Sequence, residues 1–263
     1  MKIIFSDIDG TLLNHDHLVT RETQQAIRAC AAKNIYFVPV SARMPEAIQP
    51  IMDSIGITSP LIAYNGALIQ AQDGSVIDSK TMPADKVFEI CQLIEKEDKS
   101  LAWNIYSYQN WFSSHQAHNL VRNEELVVGL ESQTRSLAEL SSLNEAHKVL
   151  IMCPPEKTEQ VLNKLKEQFP ELSIARSLPH LIEIMATGID KGQAVTTLAT
   201  YYDVPMAQTM AFGDNYNDLE MLETVGQGVV MGNAPEPLKE CIGKVTLDHN
   251  HDGIARVLEE EIL

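Results

Sequence analysis

Two carboxylates stand directly behind a short apolar run near the start of the chain, in the stretch KIIFSDIDGTLL. They are Asp7 and Asp9, and a second acidic pair, Asp214 and Asp218, occurs in the stretch GDNYNDLE. Carboxylates are costly to bury and to crowd, because two of them about 4 Å apart repel by roughly 4 kcal/mol at an effective dielectric of about 20. If these four side chains converge, either protons or a cation must relieve the repulsion. A hard divalent ion with oxygen ligands, Mg²⁺ above all, fits that need.

Other polar residues fit a phosphate group. The stretch GIDKG predicts a helix whose N-cap is Asp190, with Lys191 in the first turn, where the helix dipole adds to the charge of the lysine. Ser41 can donate a hydroxyl hydrogen bond to a phosphoryl oxygen. A capping-box-like pattern from Asn217 to Glu220 predicts the start of a further helix, and Asn217 and Asp218 would then support the metal or orient Lys191.

The candidate substrate-binding residues share a place just beyond a predicted strand or at a predicted helix start. They are Ser41, Arg43, Asn65, Gly66, Lys191 and Asn217. Two of them keep open alternatives: Arg43 either reaches a phosphate or only caps the sheet, and Asn65 either binds substrate or is a simple turn residue before Gly66.

The elements that must position these residues follow an alternating pattern. Apolar runs predict strands at 2–6, 35–40 and 60–64, and amphipathic spacing predicts helices at 20–34 and 45–56. Further elements are predicted at 191–202, 209–213, 218–225, 228–231 and 244–247. Strands that alternate with helices indicate the α/β class, a Rossmann-like, doubly wound parallel sheet. In such a sheet ligands bind outside the carboxyl ends of the strands, which is where Asp7, Ser41, Asn65 and Asp214 fall.

The pattern of apolar and polar residues changes in the middle of the chain. Strand-like runs at 101–112 and 146–154 stand among polar helices such as 154–169, which is typical of an α+β unit. We therefore expect one discontinuous domain, residues 1–82 with 187–263, and a smaller insert, residues 83–186.

Composition narrows the class of partner. The 263 residues are 44% hydrophobic, and 36 acidic against 20 basic residues give a formal charge of −16. This balance disfavours nucleic acid and anionic membranes, whose recognition depends on basic residues, and it leaves room for a small anionic substrate, because local positive groups and a metal can override the overall charge. The four cysteines are far apart and no apolar run is long enough for a membrane helix, so a cytoplasmic location is expected. Nothing in the sequence indicates an oligomeric state.

Taken in their order along the chain, these motifs resemble those of the haloacid dehalogenase superfamily of phosphotransferases. DIDGTLL resembles its first motif, Ser41 of VSAR the second, Lys191 of GIDKG the third and GDNYND the fourth. The insert after the third strand, together with YNGA, MGNA and HDGIA, is similar to the Cof-like sugar-phosphatase branch, which has an α/β cap domain.

The resemblance implies a mechanism. Asp7 would attack phosphorus and form an aspartyl-phosphate, and Asp9 would protonate the leaving oxygen and then activate the hydrolytic water. Mg²⁺ would be held by Asp7, the backbone carbonyl of Asp9 and Asp214, while Lys191 and Ser41 spread the charge of the transferring group. The insert would act as a lid.

Two other readings of the function stay open at this point. A phosphomutase shares the fold and the nucleophile but returns the phosphoryl group to its substrate. A phosphoacceptor or sensor protein, such as a signalling receiver domain, also carries an acidic cluster and a lysine on a parallel sheet, although it needs only about half this length and no insert.

Overall fold

The computed structural model describes residues 1–263 and divides the chain into two compact units. The first unit combines Met1–Ser79 with Ile189–Leu263, and the second is Lys80–Gly188. The first unit is therefore discontinuous in sequence, with the second inserted between its two parts.

The helices and strands run in three groups along the chain. The first part of unit one holds β1 (Ile3–Ser6), α1 (Arg21–Ala32), β2 (Tyr36–Pro39), α2 (Pro45–Ile55), β3 (Leu61–Ala63), β4 (Leu68–Gln70) and β5 (Val76–Ser79). Unit two holds β6 (Met82–Pro83), α3 (Ala84–Glu97), β7 (Ala102–Ser107), β8 (Asn110–Ser113), α4 (His118–Val128), β9 (Gln133–Thr134), β10 (Glu145–Ala146), β11 (Lys148–Met152), α5 (Thr158–Gln168), β12 (Ser173–Leu178) and β13 (Leu181–Met185). The return to unit one holds α6 (Lys191–Tyr201), β14 (Thr209–Gly213), α7 (Leu219–Thr224), β15 (Gln227–Val230), α8 (Glu236–Ile242) and α9 (Gly253–Glu261).

A parallel sheet forms the centre of unit one, with strand order β15-β14-β1-β2. Its middle strand β1 is fully buried, since Ile3, Ile4 and Phe5 have no exposed surface. Such burial contributes roughly 1.5–3 kcal/mol for each large apolar side chain, which explains why this run has no polar alternation. The predicted α/β fold with a doubly wound parallel sheet is confirmed.

The third predicted strand departs from the expected pattern. It touches the parallel sheet only through a bridge between Val40 and Ile62, and it pairs instead with β4, which pairs with β5, in an antiparallel sheet of three strands. The run at 244–247 is likewise reduced to one bridge, between Val230 and Val245. Both runs have the composition of strands, but each pairs with the parallel sheet through only one residue.

Unit two contains a six-stranded sheet with order β12-β13-β11-β7-β8-β9, antiparallel except for the β8–β9 pair. Alternate residues of its strands, among them Trp103, Ile105, Val149 and Ile151, share one apolar core with residues of α3 and α5. The predicted strand at 101–112 is a hairpin, because the chain turns at Tyr108, whose φ is +50°. None of the helices in either unit combines the length and the apolar character that a membrane span requires.

Candidate active site

Strand register brings the first polar residues together at one edge of the parallel sheet. Ser6, the last residue of β1, lies beside Phe212 of β14 on one side and Pro39 of β2 on the other. Asp7 and Asp214 therefore leave adjacent strands at nearly the same level. The Asp7 amide extends the ladder by donating to the Phe212 carbonyl at 3.0 Å.

The ammonium group of Lys191 lies between two buried carboxylates. Its Nζ donates to Asp7 Oδ1 at 2.5 Å and to Asp218 Oδ1 at 2.7 Å. Lys191 is 1% exposed and Asp218 has no exposed surface. Lysine and aspartate are almost never buried this fully unless they are paired. Lys191, Asp7 and Asp218 therefore form a buried, paired triad rather than a solvated surface cluster.

Lys191 reaches this position because α6 starts where the sequence predicts. Asp190 is the N-cap, and its side chain accepts a hydrogen bond from the Gln193 amide at 2.7 Å. Gly192 then packs tightly against the backbone of Glu220, where an added Cβ would lie 2.7 Å from the carbonyl oxygen. Only glycine allows this approach, which keeps the first turn of α6 against the first turn of α7.

The loop after β14 is organised by Asp218. The predicted capping box from Asn217 to Glu220 is wrong, because the box runs from Asn215 to Asp218. Asp218 Oδ2 accepts from the amides of Asp214 and Asn215, both at 3.0 Å, so each of its oxygens is engaged. Asn217 is exposed in the same turn and does not join the carboxylate cluster.

Two residues that sequence reasoning did not single out hold Asp214. Thr11 Oγ1 donates to Asp214 Oδ1 at 2.9 Å, and Asn233 Nδ2 donates to Asp214 Oδ2 at 3.1 Å and to the Gly10 carbonyl at 2.9 Å. Both stand in quoted motifs, Thr11 in DIDGTLL and Asn233 in MGNA. Their place in those motifs was the available signal, but the partner of each lies far away in sequence.

Asp9 lies outside the buried cluster and forms an ion pair with Arg43. Arg43 donates from Nε to Asp9 Oδ2 at 2.9 Å and from Nη2 to Asp9 Oδ1 at 2.6 Å, while the Asp9 side chain is 52% exposed. Ser41 is buried, and its hydroxyl accepts a hydrogen bond from the Arg43 amide at 3.1 Å.

Asn65 and Gly66 form a strained turn that packs against the start of α6. Tyr64 and Asn65 have φ of +52° and +55°, and Gly66 has φ of +107°. The Asn65 amide donates to the Ser41 carbonyl at 2.8 Å, and its Oδ1 is buried without a hydrogen-bond partner. A Cβ on Gly66 would lie 2.8 Å from the Asp190 carbonyl oxygen, so this turn and the lysine-bearing helix fix each other's position.

The electrostatics of the cluster favour a bound cation. Burial raises the pKa of Asp7 to about 8; Lys191 opposes the shift, and Asp218 and Asp214 add to it. Burial is also the main cause that raises the pKa of Asp214. The hydrogen bond from Thr11 opposes this shift, and the charge of Asp218 adds to it. Burial alone would lower the pKa of Lys191, but its two carboxylate partners outweigh burial and raise it. One lysine therefore does not balance three carboxylates.

The donor set fits Mg²⁺. Asp7, Asp214 and Asp218 can each offer an oxygen, and these oxygens all lie within 4.8 Å of one another. Carboxylate oxygens are the ligands that this hard ion prefers. Both oxygens of Asp218 and both oxygens of Asp214 accept hydrogen bonds, whereas the hydrogen bond to Asp7 is at Oδ1, so Asp7 is the freest donor of the three.

Comparisons with known proteins agree with this geometry. The sequence matches the haloacid dehalogenase-like hydrolases over residues 4–258. A Haemophilus influenzae protein that carries phosphatase in its name is 36% identical over 260 residues, which are 99% of this chain and 98% of that protein. The structure of TM0651 from Thermotoga maritima matches with a TM-score of 0.92 and 28% identity, over 100% of this chain and 98% of its own. The subclass IIB sugar phosphatase BT4131 matches with a TM-score of 0.80 and 25% identity, over 99% of this chain and 98% of its own. The chain belongs to the haloacid dehalogenase-like hydrolases and is an enzyme.

Proposed function

We propose that this enzyme is a Mg²⁺-dependent phosphatase that hydrolyses small phosphorylated metabolites, sugar phosphates first among them, through an aspartyl-phosphate. The observation that carries the proposal is the contact of Asp7 with Lys191 beside Asp214, at the carboxyl edge of the parallel sheet. The names of the relatives, a phosphatase and a sugar phosphatase, support the reaction and the substrate class. The four cysteines are all free, which supports a reducing, cytoplasmic location.

In the first step Asp7 forms a bond to phosphorus while the bond from phosphorus to the ester oxygen breaks. Asp9 gives its proton to that oxygen, so the organic group leaves as a neutral alcohol. Lys191 and the Ser41 hydroxyl donate hydrogen bonds to the phosphoryl oxygens, where negative charge is spread in the transition state. Asp218 orients Lys191 through the 2.7 Å contact.

In the second step a water molecule attacks phosphorus and the bond to Asp7 breaks. Asp9, now ionised, takes the proton of the water, so inorganic phosphate leaves and both aspartates return to their first state. Bound Mg²⁺, held by Asp7, the backbone carbonyl of Asp9 and Asp214, would neutralise the phosphoryl charge and keep Asp7 ionised. We assign Asn65, Gly66 and Arg43 to the binding of the phosphorylated substrate, and leave Asn217 without a role.

We further propose that unit two, Lys80–Gly188, is the cap that excludes water and selects the leaving group. The catalytic groups assigned above all belong to unit one. Substrate choice would then depend on residues of unit two and the reaction itself on those of unit one.

The test is release of inorganic phosphate from p-nitrophenyl phosphate, with Mg²⁺ and then with EDTA. We expect EDTA to abolish turnover, and Asp7→Asn to lower kcat by at least about 10³-fold because it removes the nucleophile. Asp203→Asn is the control, since Asp203 is exposed with φ of +53°, a conformation that asparagine tolerates well. Turnover that survives in Asp7→Asn would overturn the proposal. With a hexose phosphate, an isomeric phosphate ester in place of inorganic phosphate would indicate a mutase.

A further inference from the structure

The ion pair between Arg43 and Asp9 blocks the role that the mechanism gives to Asp9. Both carboxylate oxygens accept from the guanidinium group, at 2.9 Å and 2.6 Å. This bidentate geometry leaves neither carboxylate oxygen of Asp9 free. A proton donor needs the opposite, an oxygen that is free to face the leaving group.

The backbone of Arg43 is tied to the groups that receive a phosphate. Its amide donates to the Ser41 hydroxyl at 3.1 Å, and its carbonyl accepts from the Tyr64 amide at 3.1 Å. Ser41 in turn is linked to Asn65, whose amide donates to the Ser41 carbonyl. The guanidinium group thus extends from the same short segment that carries the phosphate-binding hydroxyl.

A phosphoryl group can compete for Arg43. The guanidinium fork fits phosphate oxygens as well as carboxylate oxygens, and a phosphate dianion carries twice the charge of a carboxylate. The Arg43–Asp9 pair is open to this competitor, because the side chain of Asp9 is half exposed and water screens part of its attraction to Arg43.

We propose that Arg43 is a positioning residue that changes partner: it holds Asp9 in the resting enzyme and moves to the phosphoryl oxygens when substrate binds. The exchange frees the Asp9 carboxylate to take and give protons only when a phosphoryl group is present. This inference rests on the proposed phosphatase function and adds to it a coupling between substrate binding and the acid–base residue.

The test is a double-mutant cycle on the binding of inorganic phosphate in the presence of Mg²⁺, measured by calorimetry. The four proteins are the wild type, Asp9→Asn, Arg43→Gln and the double variant. We expect Arg43→Gln to weaken phosphate binding about three- to tenfold, equal to roughly 0.6–1.4 kcal/mol. We expect Asp9→Asn to tighten it several-fold when Arg43 is present, and clearly less when position 43 is glutamine. Arg21→Gln, a charge change at an exposed arginine, is the control and should change nothing.

Each other result overturns the exchange in a recognisable way. If Arg43→Gln leaves phosphate binding unchanged, the pair is static and Arg43 never reaches the phosphate. If Asp9→Asn tightens binding equally in both backgrounds, Asp9 only repels phosphate and does not compete for Arg43. Arg43→Lys separates the role from simple folding, since it should restore part of the binding, and urea unfolding of each variant checks stability. Failure of the phosphatase proposal looks different, because the wild type would then hydrolyse no phosphate ester at all.

Discussion

The ammonium group of Lys191 has two buried carboxylate partners, and both would lose their counter-charge without it. Removal of one member of a buried ion pair typically costs about 3–5 kcal/mol, since the remaining charge is left without compensation. The stabilising effect of Lys191 is therefore as much a property of Asp7 and Asp218 as of the lysine itself.

We expect Lys191→Met to lower the unfolding free energy of the metal-free protein by about 3–5 kcal/mol, measured by urea denaturation. The loss should grow as pH rises, because Asp7, whose pKa burial raises, then ionises without its lysine partner. Lys2→Met, at an exposed lysine, should stay within about 0.5 kcal/mol of the wild type. Equal stability of the two variants would show that the buried triad is not a stabilising feature.

At the scale of helices and strands, the close approach of the Tyr64–Gly66 turn to α6 fixes the position of Lys191. Gly66→Ala would place a Cβ 2.8 Å from the Asp190 carbonyl and 2.9 Å from Ala194 Cβ, at a φ of +107°. Gly74 is a matched control, since its φ is +82° but nothing lies within 4 Å of its Cβ position.

We expect Gly66→Ala to lower the unfolding free energy by about 2–4 kcal/mol and Gly74→Ala by about 1 kcal/mol. The difference between them measures the steric contact, because both pay the strain of a positive φ. Gly66→Ala should also lower kcat, since the start of α6 must shift. If the two variants lose the same stability and keep full activity, the turn does not position the helix.

The parts of the fold that could be predicted from sequence are those with strong local signals. β1 and β14 are short, buried and mostly apolar, and α1 and α6 begin near their predicted starts, with Asp190 as the predicted N-cap of α6. The place of β3 could not be predicted, because PLIAY reads the same whether its partner strand is parallel or antiparallel.

The site could be predicted only as far as strand ends determine it. The carboxyl ends of β1 and β14 bring Asp7 and Asp214 to one edge, so their convergence with Lys191 follows from the topology. The Arg43–Asp9 pair and the support of Asp214 by Thr11 and Asn233 depend on rotamers of side chains that are distant in sequence, which spacing does not encode.

Between β10 and β11 in unit two, His147 is fully buried and accepts a hydrogen bond at Nδ1 from the Tyr108 amide at 3.2 Å. Burial lowers the pKa of His147 from 6.5 to about 4, although Glu145 opposes the shift. A histidine whose pKa is lowered by folding binds its proton more readily in the unfolded chain. The contribution of neutral His147 to the stability of the fold is therefore fully present above pH 6.5 and is lost as pH falls from 6.5 towards 4.

We expect the unfolding free energy to fall by about 3 kcal/mol between these pH values on account of His147. His147→Asn keeps an acceptor for the Tyr108 amide and removes the titration, so its stability should decline less steeply over that range. His118→Asn, a change at the first residue of α4, should keep the wild-type slope. Parallel curves for the wild type and His147→Asn would contradict the assignment.

At the scale of the whole molecule, a formal charge of −16 attracts any divalent cation, so a specific Mg²⁺ effect must be separated from general screening. Binding at the Asp7–Asp214 edge would stabilise the folded protein by RT ln(1 + [Mg²⁺]/Kd), about 2.7 kcal/mol when Mg²⁺ is at 100 times its Kd. We expect Mg²⁺ to raise the thermal midpoint of the wild type above that in NaCl of equal ionic strength. Asp214→Asn should lose this difference because it removes a charged ligand, whereas Asp203→Asn makes the same change in net charge and should retain it. If both variants respond as the wild type does, the stabilisation comes from the overall charge, and the edge of the sheet is not a magnesium site.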